Sequence, residues 1–262
     1  MMDGRTRTAI VRGVNDVASA VALSLHQAGF LVVMVDRPAP AVHRRGQAFA
    51  DALFDGESEL EGVVACCIDG MPGWQRRSCG FIAVTACALQ ELLPVLEPVL
   101  LVDARMRKRD QPEDQRGLAP QVIGLGPNFA AGRNVDVAVE TAWGKDLGRV
   151  VYRGRTRPLA GEPRSIQGYG RERYVYAPCA GVIAGARQIG EPVNVGEPVA
   201  HLGLRPLRAP VTGIVRGVLR DGVRVAPGGK AVEVVPAGTN VHGVAERPAA
   251  IANGVLRAVG QG

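Results

Sequence analysis

The sequence predicts an α/β chain: a Rossmann-like open sheet in the first half, and a β-rich module built from a duplicated unit in the second. Three observations carry this prediction. A strand, a glycine turn, a helix, a second strand and a terminal acid follow one another between Thr8 and Asp36. Three glycine-rich reversals crowd into residues 122–150. The stretch Ala177–Gly185 recurs as Ala209–Gly217 at an offset of 32 residues.

At 262 residues with 47% hydrophobic content, the chain suits one large or two modest domains. With only 4% aromatic residues, the core must be built from Ala, Val, Leu and Ile. The net charge is +6, and only Lys108, Lys145 and Lys230 among the 31 basic residues are lysine. The arginine bias fits genome composition, though arginine also favours bidentate contact with phosphate or carboxylate, and the net positive charge suits an anionic ligand or an acidic protein partner. Nucleic acid is disfavoured, because the one dense basic run, Arg105–Arg109, meets Asp110, Glu113 and Asp114 at once and has no aromatic residues interleaved. Five cysteines without a CxxC pair fit a reduced, cytoplasmic interior. The four histidines share no metal-ligand spacing, so no metal site is expected. No secretory leader or membrane-spanning run is expected either, since the apolar stretches near 81–89 and 95–102 are short or broken by Glu97 and Pro98.

In chain order, Thr8–Val11 reads as a buried strand, and Arg12–Asp16 turns it into a helix with apolar face Val17, Val21, Ala22, Leu25 and Ala28, stopped at Gly29. Phe30–Val35 is the next strand and ends on Asp36, which lies 23 residues after Gly13, where dinucleotide folds keep a ribose-binding acid. Asn15 and Ala18 stand where the second and third glycines of that fingerprint belong, so tight NAD binding is not expected; the unit is either structural, without a dinucleotide, or a nucleotide or pterin-nucleotide site with an anion at the helix start. A segment from Arg44 to about Phe54 reads as helical, Val63–Ile68 as a strand, Asp69–Gly80 as a loop able to lie over a site, and Ala83–Leu93 as a helix. Val99–Val102 is a strand ending in Asp103 and Arg105, which either bind a ligand together or pair with each other.

The reversals that follow place Gly124, Gly126 and Asn128, then Glu140 and Thr141, then Asp146 at the end of the sheet where open α/β folds hold ligands. With Gly13, Asn15, Asp16, Asp36, Asp103 and Arg105 they form the candidate cofactor-binding set. No catalytic residue is assigned. Cys66 and Cys67 alternate faces on a strand and have no base close in sequence.

The domain reading is 1–154 for the sheet, 155–175 for a connector, 176–240 for the duplicated module, and 241–262 for a helix returning to the first domain. The offset of 32 also relates Gly190 to Gly222, Val193 to Val225 and Gly196 to Gly228, which predicts two interlocked half-barrels about a pseudo-twofold axis. This pattern resembles the barrel-sandwich hybrid of biotinyl and lipoyl domains. Those domains carry their cofactor on a lysine in the hairpin between halves; here that hairpin, Leu202–Leu207, has no lysine, so neither biotin nor lipoate is expected.

From about Ile10 to Leu256 the chain resembles the YqeB-type accessory proteins of the selenium-dependent molybdenum hydroxylase system. The resemblance rests on Val102–Met106, Ile123–Pro127 with Ala131-Gly132, Glu140-Thr141 with Gly144, Asp146–Val150, Gly168–Gly170 and the paired Ala-Pro repeats. It implies a role in maturing molybdenum hydroxylases by binding or handling the molybdenum cofactor, or a pterin nucleotide, before insertion. The implied partners are a hydroxylase apoenzyme or cofactor-biosynthesis proteins, and a homo-oligomer is compatible with it. That family's first turn is three glycines followed by Asp-Leu-Ala-Ser; Gly13–Ser19 here keeps Asp16 and Ser19, which adds Ser19 to the candidate set, and loses two glycines. Two further readings stand beside this one: an NAD(P)-linked oxidoreductase or sulfur/selenium transferase, and a scaffold that only binds protein.

Overall fold

A computed structural model describes residues 7–69, 80–107, 110–159, 161 and 163–260. The first half contributes strands β1 (Thr8–Arg12), β2 (Leu31–Val35), β3 (Glu57–Leu60), β4 (Val63–Cys67), β5 (Ile82–Thr85), β6 (Leu100–Asp103) and β7 (Gln121–Leu125). After the two-residue β8 (Ala130–Ala131) come β9 (Val137–Val139) and β10 (Val150–Val151). Apart from β8 they form one nine-stranded sheet in the order β10-β9-β7-β6-β1-β2-β5-β4-β3. Every pairing from β4 through β9 is parallel, while β3 and β10 run antiparallel along the two edges. Strands this apolar, such as Ala9–Val11, Val32–Met34 and Leu100–Val102, must be covered on both faces.

One face is covered by α1 (Asp16–Gln27) and, beside it, by α4 (Glu246–Val259) from the far end of the chain. Ile251, Ala252, Val255 and Ala258 of α4 complete the same core as Ala9, Val11, Met34 and Val139. Close approach is possible because Gly254 faces the Gly148 carbonyl, with no room for a side chain. The other face is covered by α3 (Leu89–Leu96), whose Leu89 and Leu92 pack on Ile10, Val33 and Leu101.

The expected Rossmann-like domain of about five strands is therefore corrected to a nine-stranded mixed sheet. A wound parallel domain places a helix in each crossover, yet among the described residues only β1–β2 and β5–β6 are joined by a single covering helix, α1 and α3. The described residues between β6 and β7, and those between β7 and β9, hold no helix. Pro112, Pro120 and Pro127 interrupt those stretches. Two local readings also change. The segment Arg44–Phe54 is two 3-10 turns followed by the four-residue α2 (Ala52–Asp55), with Gly46 pressed against Val241, Ile189 and His242. Residues 82–85 are a central strand, fully buried between β2 and β4, and the helix begins only at Leu89. Of the loop Asp69–Gly80, only its two end residues lie within the described residues.

The second half holds β11 (Gly154–Arg155), which pairs with β8, then β12 (Tyr174–Tyr176), β13 (Gly181–Ala184), β14 (Pro192–Val193), β15 (Pro198–Leu202) and β16 (Arg205–Arg208). β17 (Gly213–Val218), β18 (Arg224–Val225) and β19 (Lys230–Val235) repeat β13, β14 and β15. The expected biotinyl/lipoyl-like barrel-sandwich is corrected to two four-stranded antiparallel sheets, β12-β19-β17-β14 and β16-β15-β13-β18. The short strands change sides, β14 joining the second repeat's sheet and β18 the first's. β12 and β16 are related by the same offset of 32 and take equivalent edges beside β19 and β15, so the duplication extends beyond the stretch in which the sequence match is plain.

The halves meet on a buried carboxylate. Glu233, on β19, has no exposed surface and accepts from Arg44 Nε at 2.8 Å and Nη2 at 3.2 Å, and from Arg173 Nε at 3.0 Å. Arg216 and His43 each stand 3.7 Å away. Burial pushes the Glu233 carboxyl up, but His43 and Arg44 outweigh it and hold it far below the usual carboxylate range. Arg44 also reaches Asp16 Oδ2 at 3.0 Å, so the start of α1 is tied to the second half. Replacing Glu233 by Gln leaves the buried Arg173 and Arg216 without their carboxylate and Arg44 with Asp16 alone, and is expected to cost about 3–5 kcal/mol in urea unfolding. A depressed carboxylate contributes stability above its unfolded pKa, near 4.3 for glutamate, and loses it as pH falls through the lower folded value. The wild type should consequently lose more stability than Glu233→Gln on acidification below about pH 4, which urea titrations at a series of pH values would read.

Candidate anion-binding site

Parallel pairing brings the carboxyl ends of β1, β2, β5, β6, β7 and β9 to one edge. After β1, Gly13 takes φ +110°, donates its N–H to the Val35 carbonyl at 2.8 Å and lies against Ala104 and Arg105, where a Cβ would meet the Ala104 carbonyl at 3.0 Å. Asn15 caps α1 by accepting from Val17 and Ala18 N–H, and its amide donates to the Ala104 carbonyl at 2.8 Å. The residue in place of the second fingerprint glycine thus fills the space between the β1 and β6 turns. Asp36 accepts from Val14 N at 3.2 Å and Arg37 N at 2.8 Å; burial pushes its carboxyl up against these bonds.

Asp103, at the end of β6, is 1% exposed and carries the densest set of partners at this edge. It accepts from Arg105 Nε at 3.0 Å, again from Arg105 Nη2, and from Gln115 Nε2 at 2.8 Å. Arg107 Nη2 stands 3.6 Å away and Arg12 Nη1 3.9 Å. Burial would raise the Asp103 carboxyl, yet its bonds with Arg105 and the charge of Arg12 hold it below its ordinary value. The same three arginines converge on Glu113: Arg12 and Arg105 bind Oε1 at 2.8 and 2.7 Å, and Arg107 binds Oε2 at 2.6 Å.

Toward β7 and β9, Gly126 takes φ +96° and faces Thr141 Oγ1 and Met106 Cε, so Met106 links this turn to Arg105. Thr141 is buried, and its carbonyl accepts from Arg247 Nε of α4 at 2.8 Å. Asn128, at φ +74°, donates to the Asp110 carbonyl at 2.9 Å. Glu140 is 1% exposed and accepts from the N–H groups of Thr141, Ala142 and Arg157, each at 2.7 Å. It is a backbone clip that fixes the loop after β9.

The structure therefore assembles Gly13, Asn15, Asp36, Asp103 and Arg105 at one point and brings Gly126 and Thr141 beside them through Met106. Asp16 lies at the α1 start in the Arg44 network, where Arg44 and Arg247 overcome burial and lower its carboxyl. Asp146 is engaged by Arg157, Ser19 packs inside against Phe49 N and the Val14 carbonyl, and Gly124 makes room for the Phe129 ring. Sequence reasoning missed Arg12, Arg107, Glu113 and Gln115. Arg12 immediately precedes the glycine turn, which is the one signal that marks it; the others sit in a charged loop that reads as solvated. Among the described residues no group of three or more His, Cys, Asp or Glu is placed to hold a metal ion. Two open clefts, about 240 Å³ beside Arg45 and His242 and about 630 Å³ beside Leu93 and Pro120, lie away from this edge. What marks the site is convergent charge rather than depth.

No family model matches the chain. It is 37% identical over 253 residues to the uncharacterized protein YqeB of Escherichia coli K12, a match covering 95% of this chain and 47% of that protein. The chain thus spans about half the length of this curated relative. Among solved structures, a succinylglutamate desuccinylase/aspartoacylase from Rhodobacter sphaeroides aligns over 90% of this chain and 87% of its own, with 15% identity and a TM-score of 0.28. A succinylglutamate desuccinylase from Silicibacter sp. TM1040 aligns over 88% and 85%, with 14% identity and a TM-score of 0.25. At these scores neither likeness carries a conclusion about chemistry. None of these names refers to molybdenum hydroxylases or to biotinyl and lipoyl carriers, so the labels expected from sequence draw nothing from them.

The Glu140 clip can be tested directly. Glu140→Gln replaces an acceptor oxygen with an N–H₂ that faces backbone donors, and should cost about 1–3 kcal/mol in denaturant unfolding, with a lower Tm.

Proposed function

We propose that this protein is a non-redox accessory factor in the maturation of molybdenum hydroxylases. In this reading it binds the molybdenum cofactor, or a nucleotide form of it, at the carboxyl edge of the nine-stranded sheet before insertion. The observation that carries the proposal is the convergence of Arg12, Arg105 and Arg107 beside the Gly13 turn, an arrangement that suits a terminal phosphate held by charge-assisted bonds. The resemblance of Val102–Met106, Ile123–Pro127 and Asp146–Val150 to the YqeB-type accessory proteins supplies the pterin part of the reading. The partners it calls for are a hydroxylase apoenzyme or cofactor-biosynthesis proteins.

A non-redox role is supported by Asn15, whose side chain fills the place where a dinucleotide's pyrophosphate would approach the first turn. A thiol-based transfer finds little support at Cys66, whose thiol is pushed up by burial and by Glu57. No helix among the described residues is long and apolar enough to cross a membrane. We propose a cytoplasmic location on the ground of its five cysteines, odd in number and without a CxxC pair.

Native mass spectrometry of protein purified from its own host is expected to show a bound pterin or pterin nucleotide, and an empty spectrum would remove this ligand. Arg105→Ala should weaken binding of such a ligand at least about tenfold, corresponding to loss of one charge-assisted pair, as read by calorimetry. Unchanged affinity would move the site elsewhere.

A further inference from the structure

Asp103 and Glu113 both bind the same arginines, but they are held differently. Asp103 is 1% exposed, belongs to a central strand and is fixed by Gln115 as well as by Arg105. The Glu113 side chain is 46% exposed and is carried on the connection between β6 and β7, outside any helix or strand. Its carboxylate nevertheless takes the centre of the cluster, with three guanidinium groups at 2.6–2.8 Å. Those bonds overcome its partial burial and hold it well below the usual carboxylate range.

We infer that the Glu113 carboxylate is an internal plug occupying the seat of a ligand's phosphate group, and that binding displaces Glu113 from Arg12, Arg105 and Arg107. Charge supports the exchange. Within this hydrogen-bonded cluster three guanidiniums face two carboxylates, leaving one positive charge uncompensated. A phosphate monoester carries nearly two negative charges near neutral pH. With Asp103 retained, such a group balances the three arginines, whereas Glu113 does not. Its three terminal oxygens also match three converging donors better than the two of a carboxylate.

The inference rests on the reading that a phosphate-bearing ligand binds this edge, and its test separates the two. Inorganic phosphate and guanosine 5′-monophosphate are titrated into the full chain and its variants by calorimetry at low salt. Glu113→Ala is expected to bind both probes about tenfold more tightly than the wild type, because removing an occupant present most of the time restores the competent fraction. Glu113→Gln should fall between them. Adding Arg12→Gln to Glu113→Ala should abolish the gain while leaving the ligand-free melting temperature close to that of Glu113→Ala. The ratio of the two affinities tells whether free phosphate or an esterified one is preferred. If Glu113→Ala binds neither probe more tightly, or the gain survives loss of Arg12, the plug is overturned, even if a pterin is retained by host-purified protein. A gain in Glu113→Ala alongside host protein that carries no pterin would keep the phosphate seat and remove the pterin.

Discussion

The Arg44 guanidinium is the interaction on which the arrangement of this molecule depends. A carboxylate taken fully out of water is stable only when cations and donors surround it, and Glu233, at the heart of the second half's β12-β19-β17-β14 sheet, shares Arg173 and Arg216 of its own half with Arg44 of the first. Arg44 spans the gap, gripping Glu233 with two of its nitrogens, Asp16 with the third, and the Tyr174 hydroxyl as well. Because Asp16 opens α1, this one side chain fixes where the helix begins relative to the duplicated module. The helix start in turn fixes the Gly13 turn, and the turn fixes how closely the Ala104–Arg105 backbone passes over the end of β1. Charge compensation between the halves is thereby transmitted to the site edge through rigid elements.

A second constraint acts from the end of the described chain. α4 lies against α1 and the sheet, and it reaches the loops after β9 through Arg247 on the Thr141 carbonyl and Arg257 on the Gly148 carbonyl. These bonds satisfy carbonyls that a glycine-rich loop leaves without ladder partners. The sheet is therefore not finished when its last strand is laid down. Its core closes only after the second half has been traversed, which makes residues 7–154 a poor unit to consider alone.

Local signals in the sequence locate the elements whose causes are local. The apolar run Thr8–Val11, the Asn15 cap and the 3.6-residue apolar period from Val17 to Ala28 place β1 and α1, because each depends on neighbours within one turn. The 32-residue repeat likewise marks β13, β14 and β15 against β17, β18 and β19. The assembly of these elements was not legible. Ile82–Thr85 has the composition of either a buried strand or a helix segment, and only its place between β2 and β4 decides. Edge strands β3 and β10 owe their existence to a neighbour already present. At the site, Asp103 and Arg105 were visible as a strand-end pair, but Arg12 reaches them from 91 residues away in sequence. Glu113 looked like one more charge in a polar loop, since no pattern of sequence spacing reports where a long side chain folds back.

The contrast between Asp103 and Glu113 shows how one cluster can be both permanent and exchangeable. Withdrawing Asp103 would strand the buried Gln115 amide and leave half-buried guanidiniums without their fixed carboxylate, so it stays. Glu113 is exposed enough to be solvated once released, so its departure carries only the cost of bonds that an incoming anion replaces. An arginine cluster left bare would attract any anion of suitable size and repel itself. A tethered carboxylate keeps the three guanidiniums aligned and raises the threshold for weak or singly charged competitors, while a doubly charged group gains from the charge left over. Selectivity at this edge then follows from the difference between one negative charge held on a loop and two carried by a ligand, rather than from the shape of a deep pocket.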